Sequence, residues 1–93
     1  MSTLSLPELI EYSLTGQGDG YVVILYNDDY HSFDDVIHQL QLATGFDVNR
    51  CVEITLEAHH EGRAIAFAGS QEECERVASI LRAIRLQVET DRG

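Results

Sequence analysis

The sequence predicts a small α+β domain in which three helices cover a three-stranded antiparallel sheet, in the order β-α-α-β-α-β. Three observations carry this reading. Tyr21-Val22-Val23-Ile24-Leu25-Tyr26 is an unbroken run of β-branched, Leu and Tyr residues, the composition of a strand buried on both faces. Three later stretches place apolar residues at helical spacing, each behind a residue suited to cap a helix. Two short runs, Ala64 to Ala68 and Leu86 to Thr90, have the length and patterning of strands. At 93 residues the chain has room for one domain only, with a core that buries about two thirds of the unfolded surface.

The elements follow in order. Residues 1–20 are read as an extension outside the domain. Pro7 suits a first helical turn, and Leu6, Leu9, Ile10 and Leu14 recur at near-helical spacing, so a short helix fits there. Three glycines between Thr15 and Gly20 then form a linker. The domain proper is 21–90. Asn27-Asp28-Asp29 stops the first strand, because Asn and Asp side chains bond to nearby backbone and favour turns. Ser32 caps a helix carrying Phe33, Val36, Ile37, Leu40 and Ala43/Thr44 on its apolar side, closed by Gly45. Asp47 caps a second helix to about His60, with Val48, Cys51, Val52, Thr55, Leu56, Ala58 and His59 inward and Gly62 as its stop. Ala64 to Ala68 is a strand. Ser70 and Glu73 form a capping box for the third helix, whose buried stripe is Val77, Ile80, Leu81 and Ile84. Leu86 to Thr90 alternates as a half-exposed last strand, and residues 91–93 are expected to fray.

Charge and composition exclude several classes of function. Sixteen acidic against six basic residues give a formal charge of −10, which repels nucleic-acid backbones and anionic membrane surfaces. No apolar run is long enough to span a bilayer. Met1-Ser2-Thr3-Leu4 does not resemble a secretory signal, so a cytoplasmic protein is expected, or a plastid one in a photosynthetic lineage. Cys51 and Cys74 form no Cys-x-x-Cys pair and read as reduced, buried small hydrophobes. The four histidines show no chelating spacing, so no metal or other cofactor is expected.

One constellation has chemical promise. Asn27, Asp28 and Asp29 stand at the end of the first strand, and Thr55, Ala58 and His59 share one face of the second helix. An amide oxygen, carboxylates and a neutral imidazole are all acceptors, which suits a primary ammonium with its three donors. On the residues alone two readings stand: a tight turn beside an ordinary histidine, or an acceptor rim for an amine next to an apolar hollow.

Beyond these patterns, the stretch Tyr21 to Tyr30 with Asn27-Asp28-Asp29, Val36 and Leu40 on the next helix, Ala58-His59-His60-Glu61-Gly62-Arg63-Ala64, and Glu72-Glu73-Cys74-Glu75 resemble the ClpS family. Those proteins are adaptors that bring N-degron substrates to the AAA+ unfoldase of the Clp protease. The likeness runs from about Tyr21 to Glu89. It implies a protein that is not an enzyme. Asn27, Asp28 and His59 would hold the free α-amino group of a substrate's first residue, with Asp29 shaping the mouth. Leu25, Phe33, Val36, Thr55 and Ala58 would line a pocket for a Leu, Phe, Tyr or Trp side chain, with His31 at its gate. Glu72, Glu75 and neighbouring Arg76 would lie on the face that docks the N-terminal domain of a ClpA- or ClpC-type unfoldase.

The sequence departs from the family pattern where specificity and delivery would be decided. His31-Ser32 stands in place of the usual Thr-Pro, Phe33 and Thr55 in place of Met, and Ala58 in place of Val. A narrowed or shifted preference for the first residue is the expectation. Val77 falls where the family usually carries a Lys, and the segment before Tyr21 is short, which points to altered docking or hand-over. A reading from another class is a small regulatory domain binding a free amino acid or metabolite in the same hollow.

Overall fold

The apolar run forms strand β1 (Tyr21–Tyr26) at the centre of an antiparallel sheet, flanked by β2 (Arg63–Gly69) and β3 (Val88–Arg92) in the order β2-β1-β3. This is a computed structural model that describes residues 20–93; the expected helix between Leu6 and Leu14 lies outside the described residues. Helices α1 (Phe33–Thr44) and α2 (Val48–Glu61) connect β1 to β2, and α3 (Gln71–Arg82) connects β2 to β3. The element order is the one that the sequence predicts.

Each helix begins and ends for a local reason. Ser32 Oγ accepts the backbone N–H of Asp35, Asp47 does the same for Arg50, and Ser70 with Glu73 forms a complete capping box. Such side chains satisfy N–H groups that a helix start leaves without intrahelical partners. Gly45 and Gly62 close α1 and α2 at φ of 77° and 91°, left-handed geometry that glycine adopts without a Cβ penalty. The third helix has no glycine. Arg85 takes the left-handed turn at φ 68°, and the chain re-enters the core at Leu86.

The core lies between one face of the sheet and the helices. Val23 and Leu25 of β1, Ala64 and Ala66 of β2 and Val88 of β3 meet Leu40, Ile54, Val77 and Leu81 in a single buried cluster. Both free cysteines are within it. Helices α2 and α3 rest on the sheet and α1 packs across both, its Gln39 amide donating to the Ile80 carbonyl at 2.8 Å. Burying that amide with its bond made avoids the cost of an unsatisfied donor.

Three local expectations are corrected. The first strand is not buried on both faces: Val22, Ile24 and Tyr26 are only half-buried, and Ile65 beside Ile24 is 53% exposed. Both crossovers put their helices on one side, so among the described residues a single helical layer covers the sheet. On α2 the buried stripe is Cys51, Ile54, Thr55 and Ala58, while Val48 and Leu56 are exposed. Two apolar stripes compete on that helix, and packing on the sheet selects the one containing Ile54. The last strand does not fray at residue 90. It runs from Val88 to Arg92, with Arg92 paired to Tyr21 and its guanidinium over the Tyr21 ring at 5.7 Å.

Candidate functional site

Sequence-distant residues meet because β1 and α2 end at the same place. The last β1 residue, Tyr26, donates its backbone N–H to the Gln87 carbonyl at 3.0 Å, and Asn27 donates to the carbonyl of Gly62, also at 3.0 Å. Gly62 is the residue at which α2 stops. The turn of α2 just before it carries Ala58 and His59, so the glycine stop sets the Asn27 rim beside His59.

These residues surround a small, nearly closed hollow with about 20 Å³ of free space. Its apolar wall is Leu25, Phe33, Val36 and Ala58, with Thr55 between them. The Thr55 hydroxyl donates to the Cys51 carbonyl one turn back at 2.8 Å, so it brings no unsatisfied polar group into the hollow. Asn27, Asp28 and His59 supply the polar edge. Phe33 sits edge-on to the His59 ring, with centroids 5.2 Å apart and planes at 73°, a favourable aromatic geometry.

The turn after β1 is tightly organised. Asp28 Oδ1 accepts the backbone N–H of Tyr30 at 2.5 Å and of His31 at 3.1 Å, and its Oδ2 pairs with His31 Nδ1. Burial alone would raise the Asp28 carboxyl, but the bonds from Tyr30 and His31 outweigh it and hold the group below the usual carboxylate range. His31 is shifted the other way, raised chiefly by its bond to Asp28. Asn27 Nδ2 donates to Asp29 Oδ1 at 3.3 Å, which leaves the Asn27 amide oxygen as an acceptor.

Of the residues expected at the site, the structure gathers Leu25, Asn27, Asp28, Phe33, Val36, Thr55, Ala58 and His59 around the hollow. Asp29 and His31 are not part of its wall: Asp29 is exposed at the tip of the turn, and His31 turns away to bond Asp28 and the Ile84 carbonyl. Sequence reasoning missed Tyr26 and Leu86. Leu86 was assigned to the last strand, yet it lies in the connection before β3 and buries its side chain against the hollow. Its apolar character after an arginine-rich helix end was the available signal.

Glu72, Glu75 and Arg76 are all exposed on α3. Arg76 reaches the Ala43 carbonyl at 3.4 Å, and Gln71 donates to Glu75 at 3.3 Å. Val77 is fully buried, so position 77 is not on that surface and its basic group is Arg76. Among the described residues, no three His, Cys, Asp or Glu side chains are grouped as metal ligands. Burial pushes both cysteine thiols up, which disfavours the thiolate.

A helix-covered three-stranded sheet with an acceptor-edged apolar hollow at the end of its central strand makes this a small α+β domain. The sequence model of the family described as ATP-dependent Clp protease adaptor protein ClpS matches residues 17–89. The chain belongs to the ClpS family. It is 39% identical over 61 residues to the ClpS adapter protein of Vibrio atlanticus, covering 64% of this chain and 58% of that one. Against the ClpS protein of Edwardsiella ictaluri the figures are 38% over 66 residues, 70% and 62%. It thus spans about three fifths of the length of these curated relatives. A segment amounting to 4% of the E3 ubiquitin-protein ligase UBR1 of Drosophila melanogaster is 38% identical over 64 residues, 67% of this chain. Among solved structures, Agrobacterium tumefaciens ClpS2 bound to L-phenylalaninamide has the same fold, with a TM-score of 0.76 at 20% identity, covering 83% of this chain and all of that one.

Proposed function

We propose that the chain is a non-catalytic adaptor. It holds the free N-terminus of a protein that begins with Leu, Phe, Tyr or Trp and delivers that protein to the AAA+ unfoldase of a Clp protease. The observation that carries this reading is the convergence of Asn27, Asp28 and His59 on the edge of a hollow walled by Leu25, Phe33, Val36, Thr55 and Ala58. An α-ammonium offers three donors to that edge. The first side chain parts the wall of the hollow, packs against it and leaves water, and its burial contributes about 1.5 to 3 kcal/mol for a large apolar group. The ligand of the similarly folded ClpS2 protein, an amino-acid amide with a free α-amine and an aromatic side chain, has the chemistry that such a hollow would take.

Glu72, Glu75 and Arg76 form the docking face for the N-terminal domain of a ClpA- or ClpC-type unfoldase, on the side of α3 turned to solvent. A cytoplasmic setting is consistent with that partner. Preference among first residues is narrowed: Phe33 stands edge-on against His59 at the mouth, and a phenyl ring with two χ angles adapts less than a flexible thioether. Small Thr55 and Ala58 retune the interior.

The reading is tested by titrating L-phenylalaninamide while following backbone amide resonances. Shifts confined to Asn27 to His31, Thr55 to Gly62 and the neighbourhood of Leu86 are the expected result. An unperturbed spectrum at millimolar ligand would reject it.

A further inference from the structure

His31 has an arrangement that gripping a first residue does not by itself require. Each of its ring nitrogens faces an acceptor: Nδ1 faces Asp28 Oδ2, and Nε2 lies 2.6 Å from the carbonyl oxygen of Ile84. A neutral imidazole has one N–H and one lone pair, so one of these contacts would set lone pair against lone pair. Only imidazolium donates to both. Asp28 is correspondingly occupied, since its oxygens accept from two backbone N–H groups and the ring, and its side chain is only 9% exposed. The contact bridges residues far apart in sequence and ties the β1–α1 turn to the connection that carries Leu86 into the wall of the hollow.

We propose that His31 is a positioning residue that, as imidazolium, competes with the α-ammonium of a bound chain for the Asp28 carboxylate, so that a free N-terminus binds most tightly once His31 has lost its proton. The proposal rests on the functional reading above. A carboxylate has about four acceptor sites, so Asp28 has geometric room for a ligand donor while His31 is in place. What it lacks is net charge. Two cations sharing one carboxylate repel, and at a partly buried site that repulsion exceeds the worth of the single hydrogen bond surrendered when the ring becomes neutral.

Other charged groups act in known directions. Asp35 on α1 favours the charged ring, as Asp28 does. The connection after α3 contributes the Ile84 carbonyl, with Arg85 the next residue. On α2, His59 is turned to Phe33.

The test combines two measurements: a 15N titration of the imidazoles with and without a saturating peptide beginning with Phe, and fluorescence polarisation of that peptide on the native chain and on His31→Gln. The peptide is expected to lower the His31 pKa by about one unit, the reciprocal of roughly tenfold tighter binding to the neutral form. At about pH 6 His31→Gln should bind roughly tenfold tighter than the native chain, the difference closing as pH rises through the folded His31 value. A His31 pKa that stays or rises on binding overturns the proposal, as does a folded His31→Gln with native affinity at the lower pH. If the variant does not fold, the titration of the native chain decides. Absence of binding at every pH overturns the functional reading together with this one, whereas binding indifferent to His31 overturns this one alone.

Discussion

Asp28 and His31 tie the stability of the domain to pH with opposite signs. His31 has its folded pKa raised, so its contribution is fully present below about pH 6.5 and is lost as pH rises through the folded value. Asp28 has its folded pKa lowered; its contribution is present above about pH 3.9 and is lost as pH falls through the folded value. Thermal melts of His31→Gln should therefore lie below the native melt at about pH 5.5 and converge with it as pH rises through the folded His31 value. A gap independent of pH would show that the ring is not held protonated. The same scale decides the site. His59→Ala removes an acceptor for a charged donor, worth about 1.5 to 3 kcal/mol, and should weaken a free-amine peptide about tenfold or more in polarisation while leaving the fold intact. Residue type alone offered Asn27, Asp28, Asp29 and His59 only as candidates beside the reading of an ordinary turn, because acceptor chemistry and turn chemistry use the same side chains; the resemblance to the ClpS family chose between them. Residue type could not place His31, since nothing in it shows that the chain folds the Ile84 carbonyl back to within 2.6 Å of its ring.

At the scale of elements, the boundaries were legible wherever a side chain or a glycine does the capping. Ser32, Asp47 and the Ser70–Glu73 box act as caps, and Gly45 and Gly62 as left-handed stops. Which apolar stripe of α2 faces inward was not legible, because Val48, Val52 and Leu56 compete with Cys51, Ile54 and Ala58 until the sheet is present to choose. The end of α3 was obscure for a related reason: a non-glycine residue, Arg85, makes the left-handed turn. Gly62 links element to site. A Cβ added there would meet nothing within 4 Å, so Gly62→Ala has only backbone strain to bear, about 1 kcal/mol. Because the Gly62 carbonyl holds Asn27, peptide affinity should fall more than that stability loss suggests. Equal effects on melting and on binding would mean that the α2 stop does not position the rim. Ser70→Ala should cost about 1 kcal/mol and lower the melting temperature by about 4 to 8 °C, with peptide affinity unchanged.

At the scale of the molecule, the surfaces proposed for recognition and for delivery are separate. The hollow opens where β1 and α2 end, and Glu72, Glu75 and Arg76 lie on the solvent side of α3. Reversing Glu72 and Glu75 to Lys should abolish acceleration of N-degron degradation by a Clp unfoldase while peptide binding persists, which a degradation assay run beside polarisation would read. Loss of both activities would contradict the separation. The fold class was legible because strand and helix patterns alternate in an order with few layered solutions. One-sided coverage of the sheet was not, since an apolar run reads alike whether one face is covered or two.

The central claim is that the hollow beside Asn27, Asp28 and His59 reads a free N-terminus together with a large apolar side chain. The most direct measurement is polarisation of a fluorescent peptide beginning with Phe against the same peptide N-acetylated. Binding in the micromolar range or tighter that is lost on acetylation is the predicted result. Equal binding of the two peptides, or binding of neither by folded protein, would contradict it.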